Sequence, residues 1–178
     1  MRSVALILTT SLDGFIAEPD GGVDWLVSPP DDVPADYLDL LESIDCLVMG
    51  SATYRVSLAL QGGTDVFEGR DVFVFTARDD LPAHPGVTFV HNPAEQFVAE
   101  LKERSGGTIW LFGGGRLATA LSDAGLVDDY LIVVQPVLLG DGIPLWLTPH
   151  GRIELRLVTA RAWAGGIAEL RFKRENDA

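Results

Sequence analysis

Apolar stretches alternate with amphipathic ones over the first two-thirds of the chain. Residues 4–8 form an unbroken apolar run, which predicts a strand that is covered on both faces, and the stretches at residues 46–49, 71–76, 87–90 and 109–112 predict further strands. Helical periodicity predicts helices between these strands, at residues 35–43, 51–60, 94–105 and 115–123. This alternation favours an α/β fold with a mostly parallel central sheet.

The pattern changes in the last third of the chain. Residues 129–135 predict a long strand, and residues 153–159 and 167–173 alternate between apolar and polar positions on either side of Gly165-Gly166. This indicates an antiparallel addition at one edge of the sheet. A Pro-rich connection lies at residues 28–34. No linker divides the chain, so residues 1–178 are predicted to form one domain.

The other predicted elements are organised around the glycines at positions 113–115. A strand that passes into a helix through glycines directs backbone N–H groups towards one point, which suits a phosphate. The alternative is a tight strand–helix turn that binds nothing, and the stretch alone does not separate the two. The spacing Gly113-x-Gly115-x-x-Ala118 also matches the dinucleotide fingerprint, which is weak when it stands alone.

Charge and composition exclude several classes of partner. Acidic residues outnumber basic residues by 26 to 13, which argues against nucleic acid and anionic membranes as partners. The single Cys46 and three widely separated histidines give no metal-ligand spacing, so no metal is expected. The apolar runs are too short for a membrane span or a signal-peptide core, and we expect a cytoplasmic protein.

Two charged residues are candidates for chemistry. Asp36 follows the loop that carries Trp25 and precedes a central strand, so partial burial would raise its pKa towards that of a proton donor. Alternatively, Asp36 only stabilises the first turn of its helix. Arg78 follows the third strand and suits a phosphate, or else it forms a surface pair with Asp79 or Asp80.

Five motifs occur in a familiar order, and each is weak alone. They are Ser11-Leu12-Asp13-Gly14-Phe15-Ile16-Ala17, Asp24-Trp25, Leu47-Val48-Met49-Gly50-x-x-Thr53-Tyr54, Ile109-Trp110-Leu111-Phe112-Gly113-Gly114-Gly115 and Gly140-Asp141-Gly142-Ile143-Pro144-Leu145-Trp146. Together they resemble the dihydrofolate reductase-like superfamily over nearly the whole chain. Within it, the chain is most similar to the C-terminal reductase domain of the bacterial bifunctional riboflavin-biosynthesis deaminase-reductase.

The resemblance implies a three-layer fold with a mostly parallel sheet of about eight strands and an antiparallel C-terminal hairpin. It also implies NADPH as hydride donor and a homodimer, to which the apolar strand at residues 130–134 would contribute. The implied contacts of the coenzyme are Ile16, Ala17, Gly50, Ser51, Thr53, Thr76, Ala77, Arg78, Phe112, Gly113, Gly114, Gly115, Arg116 and Leu117. Asp36 would be the catalytic carboxylate, and the substrate would contact Asp13, Trp25, Leu26 and Tyr54.

The chain departs from the family pattern at three points. Ser51 stands where the family often has arginine, which removes a charged contact to the 2′-phosphate of a type worth about 1.5–3 kcal/mol. Arg78 then suffices for NADPH, or the preference for NADPH over NADH is weak. The zinc-binding Cys/His pattern of the deaminase is missing, and few basic residues between Asp13 and Tyr54 are available to hold a ribose phosphate.

We therefore predict an NADPH-dependent reductase that transfers hydride to a small heterocyclic substrate, pterin-like or pyrimidine-like. It would be similar to 5-amino-6-(5-phosphoribosylamino)uracil reductase or dihydrofolate reductase, with the proton supplied by Asp36 or by bound water. Two alternatives remain at this point: a non-catalytic nucleotide-binding protein with the same fold, and an unrelated Rossmann-type NAD enzyme. The second would place its glycine fingerprint after the first strand.

Overall fold

The computed structural model describes residues 1–27, 33–60, 62–148 and 150–175. Most of the predicted Pro-rich connection, residues 28–32, lies outside the described residues. The helices are α1 (Ala35–Glu42), α2 (Ser51–Ala59), α3 (Ala94–Lys102) and α4 (Gly115–Asp123).

Eight strands form the main sheet. They are β1 (Val4–Thr10), β3 (Ile44–Gly50), β4 (Asp71–Phe75), β5 (Val87–Val90), β6 (Thr108–Gly113), β7 (Asp129–Val134), β9 (Leu155–Ala162) and β10 (Ala168–Arg174). Two short strands, β2 (Phe15–Ala17) and β8 (Ile143–Pro144), pair antiparallel in a separate small sheet that the hydrophobic pattern does not predict.

The strand order of the main sheet is β5-β4-β3-β6-β1-β7-β10-β9. Every pair from β5 to β7 is parallel, whereas β10 runs antiparallel to both β7 and β9. The predicted fold class, a mostly parallel sheet with an antiparallel C-terminal hairpin, is confirmed. The predicted dimer contact through residues 130–134 is wrong, because β7 is paired on both edges and Tyr130, Leu131 and Val133 are buried within the chain.

The side chains of β1 alternate between two hydrophobic clusters, one on each face of the sheet. Val4 and Leu6 pack with residues of α3 and α4, such as Val98 and Leu121. Ala5 and Ile7 pack on the opposite face with residues of α1 and α2. This is why β1 reads as an unbroken apolar run, since neither face contacts water.

Helix α1 packs against the sheet through Tyr37, Leu40 and Leu41. Leu38 on the same helix is 44% exposed. Cys46 is buried in β3, and burial raises the pKa of its thiol to about 11, in keeping with a packing role.

Two features are absent from the described part of the chain. Within residues 1–27, 33–60, 62–148 and 150–175, no helix has the length and apolar character needed to cross a membrane. Over the same residues, no group of three or more His, Cys, Asp or Glu side chains is arranged to hold a metal ion.

Candidate functional site

A cavity of about 1240 Å³ opens where the parallel strands end. Strands β3, β4 and β6 are neighbours in the sheet, and their carboxyl ends, Gly50, Phe75 and Gly113, all line this cavity. The crevice at the carboxyl ends of parallel strands is where α/β proteins bind ligands. The volume exceeds the roughly 300–1,000 Å³ of a typical single-ligand pocket, so there is room for two molecules side by side.

The glycines at the cavity have different physical reasons to be glycine. A Cβ on Gly50 would meet no atom within 4 Å, and one on Gly114 would meet only the Thr53 hydroxyl, at 3.2 Å. A Cβ on Gly115 would lie 2.5 Å from the Pro144 carbonyl oxygen, and Gly113 has a φ of +127°. Gly50 and Gly114 therefore leave space for a ligand, whereas Gly113 and Gly115 are required by the fold.

Two helices point uncapped N-termini into this cavity. Helix α2 begins after Gly50 and α4 begins after Gly114, and neither has a side-chain cap. The first backbone N–H groups of each helix have no partner within the helix and carry its positive partial charge. The two turns therefore offer donors to an anion from neighbouring strands.

Thr53 connects the two turns instead of capping α2. Its Oγ1 accepts a hydrogen bond of 3.0 Å from the Gly114 N–H. Helix α2 has no side-chain cap from Ser51 or Thr53. The Gly114 N–H is already engaged, so the free amides of the glycine turn belong to residues 115–117.

The charged side chains among the described lining residues are Asp20, Arg55 and Arg116, which sum to a net charge of +1. The whole chain carries a formal charge of −13. The remaining lining is mostly apolar, for example Trp110, Phe112 and Val133. The cavity lining thus favours an anionic group, although the molecule as a whole is strongly negative.

Asp13 joins the first of the five sequence motifs to the start of the last one. The Asp13 carboxylate accepts hydrogen bonds from the N–H groups of Leu139 (3.2 Å) and Gly140 (2.8 Å) and one from the Ser11 hydroxyl (2.6 Å). These bonds lower the pKa of Asp13, the one from Ser11 most of all. Asp13 therefore fixes a loop and does not line the cavity, which corrects its expected contact with substrate.

Most of the predicted cofactor residues surround the cavity. Those in its lining are Ile16, Ala17, Gly50, Ser51, Thr53, Phe112, Gly113, Gly114, Gly115, Arg116 and Leu117, together with Leu26 from the predicted substrate set. Thr76, Ala77 and Arg78 follow β4 on the same edge of the sheet but lie outside the lining. The Arg78 guanidinium forms two hydrogen bonds with Asp80, at 2.8 and 2.6 Å, the surface pair that was the alternative for this residue.

Two aromatic residues of the predicted substrate set lie elsewhere. Tyr54 is fully buried, its hydroxyl donates to the Pro82 carbonyl at 2.6 Å, and its ring packs against Phe67 and Phe89. The expected contact of Tyr54 with substrate is therefore corrected to a role in the core. Trp25 is half-buried beside Leu26 but does not line the cavity.

Asp36 has an environment opposite to the expected one. Its side chain is 51% exposed, and both carboxylate oxygens accept hydrogen bonds from Arg161, at 2.8 and 2.6 Å. Hydrogen bonding to Arg161 lowers the pKa of Asp36, so the expected rise is wrong. The carboxylate also lies outside the cavity lining, whereas the adjacent Tyr37 is part of it.

Comparison with known proteins identifies the family. The model of the RibD C-terminal domain matches residues 2–168. The chain belongs to the RibD C-terminal domain family. Its relative YwjB of Bacillus subtilis, an uncharacterized protein, is 35% identical over 158 residues, covering 88% of this chain and 89% of YwjB.

Solved structures agree with this RibD C-terminal fold. A protein of Shewanella sp. PV-4, provisionally named as a riboflavin biosynthesis protein, superposes with a TM-score of 0.79 at 25% identity, covering 99% of this chain and 100% of that one. Dihydrofolate reductase from Enterococcus faecalis, complexed with NADP(H) and RAB-propyl, superposes with a TM-score of 0.70 at 18% identity, covering 98% of this chain and 97% of that one. The second likeness shows the fold alone. The alternative of a Rossmann-type enzyme is thereby wrong, and the glycine turn follows β6, not β1.

The sequence analysis did not identify Tyr37, Arg55 and Trp110, which line the cavity. Arg55 had a usable signal, because it lies four residues after Ser51 in a predicted helix and so shares its face. Tyr37 had a weaker signal as the neighbour of Asp36. For Trp110 there was none, because a tryptophan in an apolar strand predicts core packing equally well.

A buried carboxylate supports the helix that carries Tyr37. Glu169 is 1% exposed, and its Oε1 lies 3.2 Å from Nε of Arg161, the same guanidinium that binds Asp36 of α1. Burial raises the pKa of Glu169, an effect that the charge of Arg161 opposes. The second oxygen, Oε2, has no hydrogen-bond partner among the described residues.

This cluster predicts a specific dependence of stability on pH. The pKa of Glu169 is higher in the folded state than its ordinary value of 4.5 in the unfolded state. As pH rises above 4.5, the unfolded chain therefore loses this proton before the folded protein does. The unfolding free energy falls with pH over this range. Relative to the wild type, Glu169→Gln should therefore become progressively more stable as pH rises from about 4.5 towards neutrality. Urea denaturation across this pH range measures the difference.

Asp36→Asn is the matched control for the same cluster. The folded pKa of Asp36 lies below its ordinary 3.8, so its contribution is present above that pH and is lost as pH falls through the folded pKa. The asparagine variant should thus converge with the wild type in acid. Above about pH 5 its difference from the wild type should slope less than that of Glu169→Gln, because the Asp36 charge is only one of the causes that raise the pKa of Glu169. A Glu169→Gln difference that is flat from pH 4.5 to 7 would contradict the raised pKa.

Proposed function

We propose that the protein is an NADPH-dependent reductase that transfers hydride to a carbonyl, imine or conjugated C=N or C=C bond of a small heterocyclic substrate. The observation that carries this proposal is the pair of uncapped helix N-termini at one cavity, with open space at Gly50 and Gly114. Membership of the RibD C-terminal family supports the reductase class, since relatives of similar fold are named as reductases. We assign the whole chain to this one reductase domain.

The residues at the cavity fit such a coenzyme. A diphosphate has space at Gly114 and finds free amides at residues 115–117 and the Arg116 side chain, and Gly50, Ser51 and Thr53 provide the second phosphate-binding turn. Ile16 and Ala17 would lie beside the nicotinamide, and Thr76, Ala77 and Arg78 beside the adenosine. When bound, NADPH supplies the hydride.

The apolar part of the lining would position the acceptor and exclude water from it. Leu26, Trp110 and Val133 offer flat or branched apolar surfaces, and the Tyr37 hydroxyl is available for hydrogen bonding. Burial, assisted by the charge of Glu169, raises the pKa of Tyr37, so its proton is retained at neutral pH. Of the two predicted proton sources we favour bound water, because Asp36 is held as an anion by Arg161.

This arrangement favours a neutral, flat heterocycle as acceptor. The lining offers few groups that would bind a charged substituent beyond those assigned to the coenzyme.

We extend the proposal to a cytoplasmic homodimer, for which the edge strand β9, with Leu157 52% exposed, is a more suitable surface than β7.

The test is a calorimetric titration with NADPH and NADH, followed by a screen of pterin, flavin-precursor pyrimidine and quinonoid acceptors. We expect saturable binding of NADPH and acceptor-dependent loss of the near-ultraviolet absorbance of the reduced nicotinamide. Binding without oxidation by any acceptor would favour the non-catalytic alternative. Absence of binding for both coenzymes would refute the proposal as a whole.

A further inference from the structure

Arg55 projects from the helix whose N-terminus faces the cavity. It lies one turn after Ser51 on α2, and residues four apart on a helix share a face. Arg55 is exposed to solvent and is one of the residues that line the cavity. An arginine at position 55 can therefore place its guanidinium in the same part of the cavity as an arginine at position 51 would.

The position of Arg55 along the sheet edge is fixed by its neighbours. Strand β3 lies between β6 and β4, with Met49 opposite Gly113 on one side and Gly50 opposite Phe75 on the other. The charge of Arg55 acts on Asp80 and, after the stronger effects of Arg78, helps to lower the pKa of that carboxyl. Asp80 follows β4, and Phe75 at the end of β4 lines the same cavity as Arg55, so the charge of Arg55 lies within electrostatic reach of the end of the cavity beside β4.

The two arginines near β4 differ in what they have left to donate. Arg78 uses its Nε and Nη2 on the two oxygens of Asp80 and stands outside the lining. Among the hydrogen bonds and ion pairs of the described residues, none involves the Arg55 guanidinium. Its planar set of donors, close to the positive end of α2, is suited to a dianionic phosphate.

We propose that Arg55 binds the 2′-phosphate of NADPH and thereby sets the preference for NADPH over NADH, in place of the arginine that is missing at position 51. This inference rests on the proposed function. In NADPH the adenosine ribose links the 2′-phosphate to the diphosphate. Since β3 lies between β4 and β6, a coenzyme with its diphosphate at the glycine turn and its 2′-phosphate beside β4 would cross the end of β3. The expected role of Arg78 is then secondary: it neutralises Asp80 and keeps that carboxylate from competing for Arg55.

The experiment measures equilibrium binding by calorimetry, without catalysis. The variants are Arg55→Ala, Arg55→Lys and Arg78→Ala, with Arg104→Ala as control, because Arg104 carries the same charge beside the Phe97 ring on α3, outside the cavity lining. The ligands are NADPH, NADH, adenosine 2′,5′-bisphosphate, adenosine 5′-monophosphate and ribose 5-phosphate. Circular dichroism verifies that each variant is folded.

We expect Arg55→Ala to weaken NADPH and the bisphosphate by about tenfold to a hundredfold, the range for a charged hydrogen-bonded contact. NADH and the monophosphate should change by less than about threefold, and Arg104→Ala should match the wild type. Arg55→Lys should fall between, because it keeps the charge and loses the paired donors.

Several results would overturn the inference while leaving the proposed function intact. They are equal losses of NADPH and NADH in Arg55→Ala, a wild type that binds the two equally, or selectivity that disappears in Arg78→Ala but persists in Arg55→Ala. A loss confined to ribose 5-phosphate would also overturn it, because the phosphate would then belong to the substrate. A wild type that binds neither coenzyme overturns the proposed function and this inference together.

Discussion

Gly114→Asp is expected to abolish nucleotide binding while leaving the unfolding free energy nearly unchanged. The fold accepts the new side chain, because φ at Gly114 is −41° and its Cβ would meet only the flexible Thr53 hydroxyl. Residue 114 is the N-cap of α4, where aspartate stabilises a helix more than glycine does, by a few tenths of a kcal/mol. The carboxylate would bind the helix amides that a diphosphate needs and would repel the diphosphate itself.

Loss of two charged contacts of this kind predicts at least about a hundredfold weaker binding of NADPH. Calorimetry with NADPH, paired with urea denaturation of the same sample, measures both quantities. Gly114→Asn separates the two effects, since it caps the helix without the negative charge and should lose less affinity. If Gly114→Asp binds NADPH as the wild type does, the diphosphate does not lie at this turn.

Gly115→Ala is expected to have the opposite result, a loss of stability. The added methyl group would lie 2.5 Å from the Pro144 carbonyl oxygen and 2.9 Å from that of Leu145, both of which belong to the backbone. Overpacking of this kind costs about 1–3 kcal/mol, more than the roughly 0.5–1 kcal/mol that alanine contributes over glycine in a helix. Denaturation midpoints by circular dichroism measure the difference.

Gly114→Ala is the matched control for Gly115→Ala. Its Cβ would meet only the Thr53 hydroxyl, at 3.2 Å, and no backbone atom within 4 Å. We expect its unfolding free energy to stay close to that of the wild type, because alanine is a poorer N-cap than glycine but lowers the entropy of the unfolded chain, an effect of about 0.4–1 kcal/mol in the opposite direction. Equal destabilisation by both alanines would show that the contact with residues 144–145 is not what requires glycine at position 115.

The fold was predictable because hydrophobic periodicity reports burial directly. The unbroken run in β1 reflects two covered faces. The alternation at residues 167–173 predicted the strand β10 but not its burial, because Glu169, at a polar position, is 1% exposed. The pairing of β2 with β8 was not predictable. It joins segments of three and two residues far apart in the chain, and so short a strand has no period to detect.

The site was predictable where it consists of backbone, and less so where it depends on side chains. The glycines mark turns whatever the partner, so the turn that lines the cavity was found from the sequence. The environments of Asp36 and Tyr54 depend on distant partners, Arg161 on β9 and the Pro82 carbonyl, and no local pattern contains them. For Arg78 both alternatives were available, and the nearby Asp80 decided the geometry.

The hydrogen bond from the Gly114 N–H to the Thr53 hydroxyl joins positions that are 61 residues apart. The proposed binding surface therefore cannot form in any fragment that ends before β6, because it requires β3 and β6 to be adjacent. A molecule that spans both turns would fasten an early segment of the chain to a late one. Its occupancy would suppress cooperative opening of the middle of the sheet more than fraying at the outer strands β5 and β9.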